Sequence, residues 1–390
     1  MMNWHIEKAK NEQKTVKLND IYLYSKYNPQ RDVEKFMTTE VDTTNKKFIL
    51  VGLGLGYHLD YLVEHLENIE VQYILLDEQE KEVYLEHNTK KYLQLPNVHA
   101  FKSVEAFNEQ AQIIIPQSFL RAIGHNHPLF EFIEDIKIRQ VSYRRFKEQM
   151  IENFSENIKL FTPLLKITTS KKAALVASGP SLNNTISWLQ KHQQEFDIYC
   201  VGSALKVLLA HQIMPTAVFM TDAQPTMLEQ IDMRYNGILY FLSTANYQAV
   251  SEHPGEKQIL FQKGFTRAEK FAKQYEQPLF ETGGSVATTT FSYIEWLGYK
   301  ELYLFGQDLG FSEMQTHAMG STSGKEIKKY NQLLDVVAND HTIIRTTPNL
   351  LSYKRWFDQA FSKTTMKIFN TSEKGAKLKN TTFFDTTLKS

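Results

Sequence analysis

The chain has 390 residues, with 44 Lys and Arg balancing 44 Asp and Glu, a length that fits two or three domains at about 150 residues each. At 42% hydrophobic and 23% charged residues it reads as a globular protein with a large core rather than a disordered or collagen-like one, and zero net charge gives no global attraction to nucleic acid or anionic lipid. The single cysteine, Cys200, excludes an intrachain disulfide framework and a multi-cysteine zinc site. Residues 1–10 do not read as a signal peptide and no run reaches the ~18 apolar residues of a membrane span, so a cytoplasmic protein with no membrane insertion and no nucleic-acid partner is expected.

The first segment with clear form is an apolar run at 48–51, read as a buried strand, followed by Gly52-Leu-Gly-Leu-Gly56 and a helix with Leu59, Leu62, Val63 and Leu66 at helical spacing. A second strand at 71–76 ends at Asp77, then a helix near 79–92 and a short strand near 98–101 continue the alternation, which predicts a parallel sheet. Asp77 follows Gly52 by 25 residues, a spacing that suits a dinucleotide or S-adenosylmethionine fold with Asp77 on ribose hydroxyls, although the glycines run G-x-G-x-G rather than G-x-G-x-x-G. Residues 128–165 carry apolar positions three and four apart, with Arg139, Arg144, Arg145 and Lys147 between them, and predict one long or two shorter amphipathic helices linking two domains.

A second alternating series begins at Lys172. Strands are predicted at 173–177, 197–201, 217–221, 238–242 and 301–305, and helices at 182–192, through His211, near 266–275 and from Ser285 to Trp296. The chain closes with a helix at 348–363, whose Leu350, Leu351, Tyr353, Trp356, Phe357 and Phe361 share one face, a short strand at 366–369 and a polar tail. The fold class is therefore α/β, with two Rossmann-like parallel-sheet domains joined by a helical connector. The expected divisions are 1–125, a connector at 126–168, a central domain at 169–347, and a closing helix and tail at 348–390.

Five turns of the central domain follow strand ends, where open parallel sheets bind ligands. Ser178-Gly-Pro-Ser181 can cradle a phosphate at a helix start, with Gly179 allowing close approach and Pro180 stiffening the turn; equally it can be an ordinary turn with Ser181 as helix cap, Asn184 standing where a capping box has Glu. Gly202 and Ser203 follow the next strand. Asp222 can hold a ribose hydroxyl, orient a base, bind metal or cap the next helix. Gly283 and Gly284 again permit close approach, with Ser285 as N-cap. Asp308, between Gly306 and Gly310, is expected near the crevice, and His317 is a candidate general acid or base at neutral pH. No metal-ligand spacing stands out, and His125 and His127 have no acidic or cysteine partners at a telling distance.

Taken in order, Ser178-Gly-Pro-Ser-Leu182, Gly202-Ser-Ala-Leu-Lys206, Asp222, Gly283-Gly-Ser-Val-Ala287, Gly306-Gln-Asp-Leu309, Thr316-His-Ala318 and Asn370-Thr-Ser-Glu-Lys-Gly-Ala376 resemble the motility accessory factor family of flagellin glycosyltransferases and the related 6-hydroxymethylpterin pyrophosphokinases. Lys374 stands where the family has Gly, and Thr216 where it has Asp. The resemblance implies a central domain akin to bacterial sialyltransferases. Such an enzyme moves a sialic, pseudaminic or legionaminic-type acid from a CMP-linked donor to Ser or Thr hydroxyls of a protein acceptor, flagellin, by inverting displacement. The CMP-sugar is then a co-substrate and no cofactor is required. The resemblance places the donor nucleotide on Ser178, Gly179, Pro180, Ser181, Gly202, Ser203, Asp222, Gly283, Gly284 and Ser285, and the catalytic work on His317 and Asp308. Under the alternative, an ATP-dependent pterin pyrophosphokinase, Mg2+ would be needed on Asp222 or Asp308; a non-catalytic nucleotide-binding protein is the third reading.

Overall fold

The computed structural model describes residues 2–101, 111–124, 127–166, 171–311, 317–322 and 333–387; His125 and Thr316 lie outside them. The chain forms two compact units, Met1–Tyr143 and Arg144–Ser390. The division falls inside one helix, Pro128–Asn157, where the sequence allows one long helix or two shorter ones.

The first unit opens with strands β1 (Trp4–Lys8), β2 (Lys14–Leu18) and β3 (Ile21–Tyr22), an antiparallel sheet that the sequence reading does not foresee. Helix α1 (Pro29–Glu40) starts on an Asn28 cap, with Pro29 at its first position. Then follow β4 (Lys47–Val51), α2 (Tyr57–His65), β5 (Glu70–Ile74), α3 (Glu80–His87), β6 (Val98–Ala100), β7 (Gln112–Ile114), α4 (Gln117–Ile123) and α5 (Pro128–Asn157). The strands make a parallel sheet in the order β6-β5-β4-β7. Phe48, Ile49 and Leu50 of β4 are buried at its centre.

The second unit alternates β8 (Lys172–Val176), α6 (Leu182–His192), β9 (Phe196–Val201), α7 (Gly202–Ala210), β10 (Ala217–Met220), β11 (Ile238–Leu242), α8 (Tyr247–Glu252), β12 (Lys257–Gln262), α9 (Thr266–Gln274), β13 (Leu279–Phe280), α10 (Val286–Leu297) and β14 (Glu301–Phe305). A hairpin of β15 (Leu334–Val337) and β16 (Ile343–Thr346), α11 (Pro348–Lys363), β17 (Lys367–Asn370) and β18 (Thr382–Phe383) complete it. Near-continuous apolar runs such as Ala-Val-Phe-Met in β10 are buried at every position, as strands covered on both faces must be.

The sheet has nine strands, all paired in parallel, in the order β13-β12-β11-β10-β9-β8-β14-β17-β18. The chain lays strands outward from β8 to β13, then returns to the other side of β8 with β14. The topological switch point therefore lies between β8 and β14, and ligands of open α/β sheets bind beyond the strand ends there. Helix α10 lies across β8, β9 and β10, and its buried Phe291 meets Trp356, Phe357 and Phe361 with ring centroids 5.1–6.1 Å apart. That aromatic cluster pins α11 against α10.

Candidate functional site

The turns after β8 and β14 meet across the switch point. The N–H of Gly179 donates to the carbonyl of Gly306 at 2.8 Å. A Cβ on Gly179 would lie 2.6 Å from Oδ2 of Asp308 and collide with the Gly306 carbonyl, so only glycine fits this seam. Asp308 is buried, and its carboxylate accepts the Ser181 N–H at 2.7 Å, the Ser181 hydroxyl and the Ser372 hydroxyl. Burial pushes its pKa up while these donors pull it down. One carboxylate thus ties together the turns after β8, β14 and β17. Ser181 is a correction to the sequence reading: it stands at the cap position of α6, but its side chain makes no cap bond and goes to Asp308.

Helix α7 begins without a side-chain cap, which leaves its first N–H groups and positive dipole end available to an anion, whereas at α6 the Ser181 N–H is taken by Asp308 and those of Leu182, Asn183 and Asn184 by the carbonyls of Gly179, Pro180 and Ser181. Beside them the hydroxyls of Ser178 and Ser203 meet at 2.8 Å. The N–H of Ala318 donates to the Ser178 carbonyl at 2.8 Å, which brings the neighbouring His317 to the same end of the sheet. Burial lowers the His317 pKa below its ordinary 6.5, so its imidazole is neutral at pH 7. Gly202, at the start of α7, is buried against Gln230 and Met220.

A second group lies beyond β10 and β13. Asp222 does not cap the following 3-10 turn Pro225–Gln230, whose cap position is Gln224. Its carbonyl accepts the Asn246 N–H at 2.8 Å, and the next carbonyl, of Ala223, accepts from Asn153 Nδ2 at 3.1 Å. The Asp222 carboxylate has no hydrogen-bond partner among the described residues. The side chain is exposed by surface area yet crowded by protein, as on the wall of a cleft, and desolvation raises its pKa. Gly283 is buried against Trp356, whereas Gly284 is exposed and abuts Tyr353. Ser285 does cap α10, in a reciprocal box with Thr288 at 3.2 Å.

Sequence reasoning named the segment that holds Ser372 and the helix face that holds Tyr353 but gave neither residue a role, and it missed Asn153. Asn153 and Asn157, four apart on an otherwise apolar helix face, clamp the carbonyls of Ala223, Ser243, Thr244 and Ala245; two amides at helical spacing in an apolar stripe were the available signal. Tyr353 is part of the predicted apolar face of α11 and gives no signal of its own.

The glycine loop of the first unit is built differently. Its Gly54 N–H donates to Glu80 Oε1 at 2.8 Å and the Leu76 N–H to Glu80 Oε2 at 2.6 Å. Tyr24 accepts from the Leu55 N–H at 3.0 Å and donates to the Leu53 carbonyl at 3.2 Å, and the Phe119 ring fills the space a Cβ on Gly52 would need. Asp77 accepts from the Trp4 indole at 3.2 Å and from the Glu80 N–H at 2.9 Å. The groups that the cofactor reading assigns to pyrophosphate and ribose are engaged by the protein's own side chains. Burial pushes the Glu80 carboxyl up to about 7 against the pull of its N–H donors.

Residues 148–314 match the family model described as 6-hydroxymethylpterin diphosphokinase MptE-like. That match covers less than half of the chain and lies wholly within the second unit. Among solved structures, the MAf glycosyltransferase from Magnetospirillum magneticum AMB-1 matches with a TM-score of 0.52 and 15% identity, over 98% of this chain and 70% of that one. The structural match supports the Rossmann-like α/β fold class, and the family model supports the motif resemblance over residues 148–314. No curated protein sequence matches. The matched segment spans the turns after β8, β9, β10, β13 and β14, and ends short of His317, α11 and Ser372. Among the described residues no helix is long and apolar enough to cross a membrane, and no group of three or more His, Cys, Asp or Glu could hold a metal ion.

Proposed function

We propose that the second unit is a cytoplasmic glycosyltransferase that moves a nonulosonic acid from a CMP-linked donor to Ser or Thr hydroxyls of a protein acceptor such as flagellin. The observation that carries this reading is the meeting of Ser178, Ser203 and the His317 segment at the switch point, beside the uncapped start of α7. The donor phosphate lies over the Gly179 turn, against the first N–H groups of α7 and the hydroxyls of Ser178 and Ser203. His317, neutral because burial lowers its pKa, takes the proton of the acceptor hydroxyl. The acceptor oxygen attacks the anomeric carbon from the face opposite the phosphate, the bond from that carbon to the phosphate oxygen breaks, and CMP leaves with the electron pair. Donors aimed at the departing phosphate stabilise charge that develops only in the transition state. Asp308 is a positioning residue here: it holds Ser181 and Ser372 and orders the turns around the donor.

The family description favours a second reading, an ATP-dependent pyrophosphokinase-type transfer. That chemistry calls for Mg2+ between carboxylates and phosphates. Asp308 is a poor ligand, since its oxygens already accept from Ser181 and Ser372, which leaves Asp222.

Calorimetric titration with CMP, CDP, UDP and ATP, each with and without Mg2+, tests the proposal. CMP-selective, metal-independent binding is expected. Selective binding of ATP with Mg2+ would transfer the case to the pyrophosphokinase, and a folded protein that binds none of the four would end both readings.

A further inference from the structure

Nothing in the mechanism above uses Tyr353, yet its surroundings are those of a ligand site. Its neighbours along α11, Trp356, Phe357 and Phe361, are all consumed in ring contacts with Phe291. Tyr353 has no ring partner and no hydrogen bond to its hydroxyl among the described residues, and is only partly buried. Opposite it stands Gly284, exposed and with φ at 90°; a Cβ there would lie 3.0 Å from Cε1 and 3.7 Å from Cδ1 of Tyr353. The charge of Asp222 reaches the same phenol. An unpaired ring, an unpaired hydroxyl, an unpaired carboxylate and a bare stretch of backbone thus share one wall. Asn246 and Asn153 fix the backbone directly after the Asp222 side chain, at the carbonyls of Asp222 and Ala223, so the carboxylate is held in place without being consumed.

The two groups of loops differ in sign. The open helix start of α7 favours an anion, while the Asp222 carboxylate repels one and accepts from hydroxyls. The loops of β9 and β10 issue from adjacent strands, about 4.8 Å apart, within the span of one nucleotide.

We propose that Tyr353, Asp222 and Gly284 form the nucleoside half of the donor site, with the base against the Tyr353 ring and the ribose hydroxyls donating to Asp222. This rests on the nucleotide reading of the second unit and adds to it an element, α11, that lies outside the family match. The sign difference fixes the direction of the bound nucleotide: phosphate toward Ser178 and Ser203, nucleoside toward α11. It also makes α11 a determinant of which nucleotide is accepted.

Titrations of CMP and 2′-deoxy-CMP into wild type, Tyr353→Leu, Tyr353→Phe and Asp222→Asn test it, with far-UV circular dichroism to check folding. Tyr353→Leu keeps apolar bulk on α11 and should weaken CMP binding about ten- to hundred-fold, the range of one lost stacking contact, while Tyr353→Phe keeps the ring and stays close to wild type. Asp222→Asn should narrow the preference for CMP over 2′-deoxy-CMP. CMP binding by a folded Tyr353→Leu with wild-type affinity overturns the subsite and leaves the wider reading intact. Failure of wild type itself to bind any nucleotide overturns both.

Discussion

The two Rossmann-like sheets of this chain each carry a glycine-rich turn at a strand end, and they use it in opposite ways. In the first unit Gly54 faces Glu80, Tyr24 and Phe119, and the carboxylate that its N–H binds belongs to the protein. In the second, Gly179 lets the turns of β8 and β14 close on each other, and the internal carboxylate, Asp308, sits behind the turn holding Ser181 and Ser372. The start of α7 and the hydroxyls of Ser178 and Ser203 are left at the crevice. A glycine in such a turn reports that something approaches the backbone closely; whether a ligand or a neighbouring side chain does so depends on residues far away in sequence.

The largest effect separating the two regions falls on chemistry. His317→Ala should cut sugar transfer by about 10²- to 10⁴-fold with nucleotide affinity close to wild type, as read by single-turnover rates beside calorimetry; an unchanged rate would remove His317 from the mechanism. In the first unit the cost is structural. Glu80→Ala leaves the buried N–H groups of Gly54 and Leu76 without acceptors and should destabilise that unit by roughly 2–5 kcal/mol. Denaturant unfolding would report the loss, while CMP affinity stays unchanged; a loss of affinity without a loss of stability would mean that the first loop serves ligand binding after all.

A pH series sharpens the same contrast. Glu80 titrates near 7 folded against an ordinary 4.5, so the folded state holds that proton more tightly. Stability of the first unit should therefore fall as pH rises from 4.5 through 7, by at most about 3 kcal/mol, and Glu80→Gln should flatten that window. A slope that survives the substitution assigns the pH dependence to another group. The smallest effect is expected for Asp308→Asn. It keeps an acceptor for a hydroxyl but loses the charge-assisted bond to the Ser181 N–H, which should lower second-unit stability by about 1–2 kcal/mol and weaken nucleotide binding modestly in titration.

Much of the second unit was legible because buried parallel strands write themselves as apolar runs: β8, β9, β10, β11 and β14 are all readable, and so are the turns that end β8, β9, β10, β13 and β14. Strand β12, Lys-Gln-Ile-Leu-Phe-Gln, begins with polar residues and was not read, nor were the half-exposed β15 and β16. In the antiparallel β1–β3 sheet Trp4 and Ile6, and Val16 and Leu18, alternate with polar residues, but each strand carries only two such positions among Lys, Glu and Thr, too short a run to stand out. Within the site, spacing located the glycines and serines but not their partners. Ser372 reaches Asp308 across 64 residues, Ser181 abandons its cap for a carboxylate 127 residues on, and nothing local in Gly52-Leu-Gly-Leu-Gly56 reveals that Glu80 lies against it.

Hydrogen exchange with and without saturating CMP tests the central contrast most directly. The account predicts slowed exchange at the amides of residues 178–182, 202–204 and 283–285, and no change at residues 52–56. Protection of the first-unit loop, or none at the turns of the second, would contradict it.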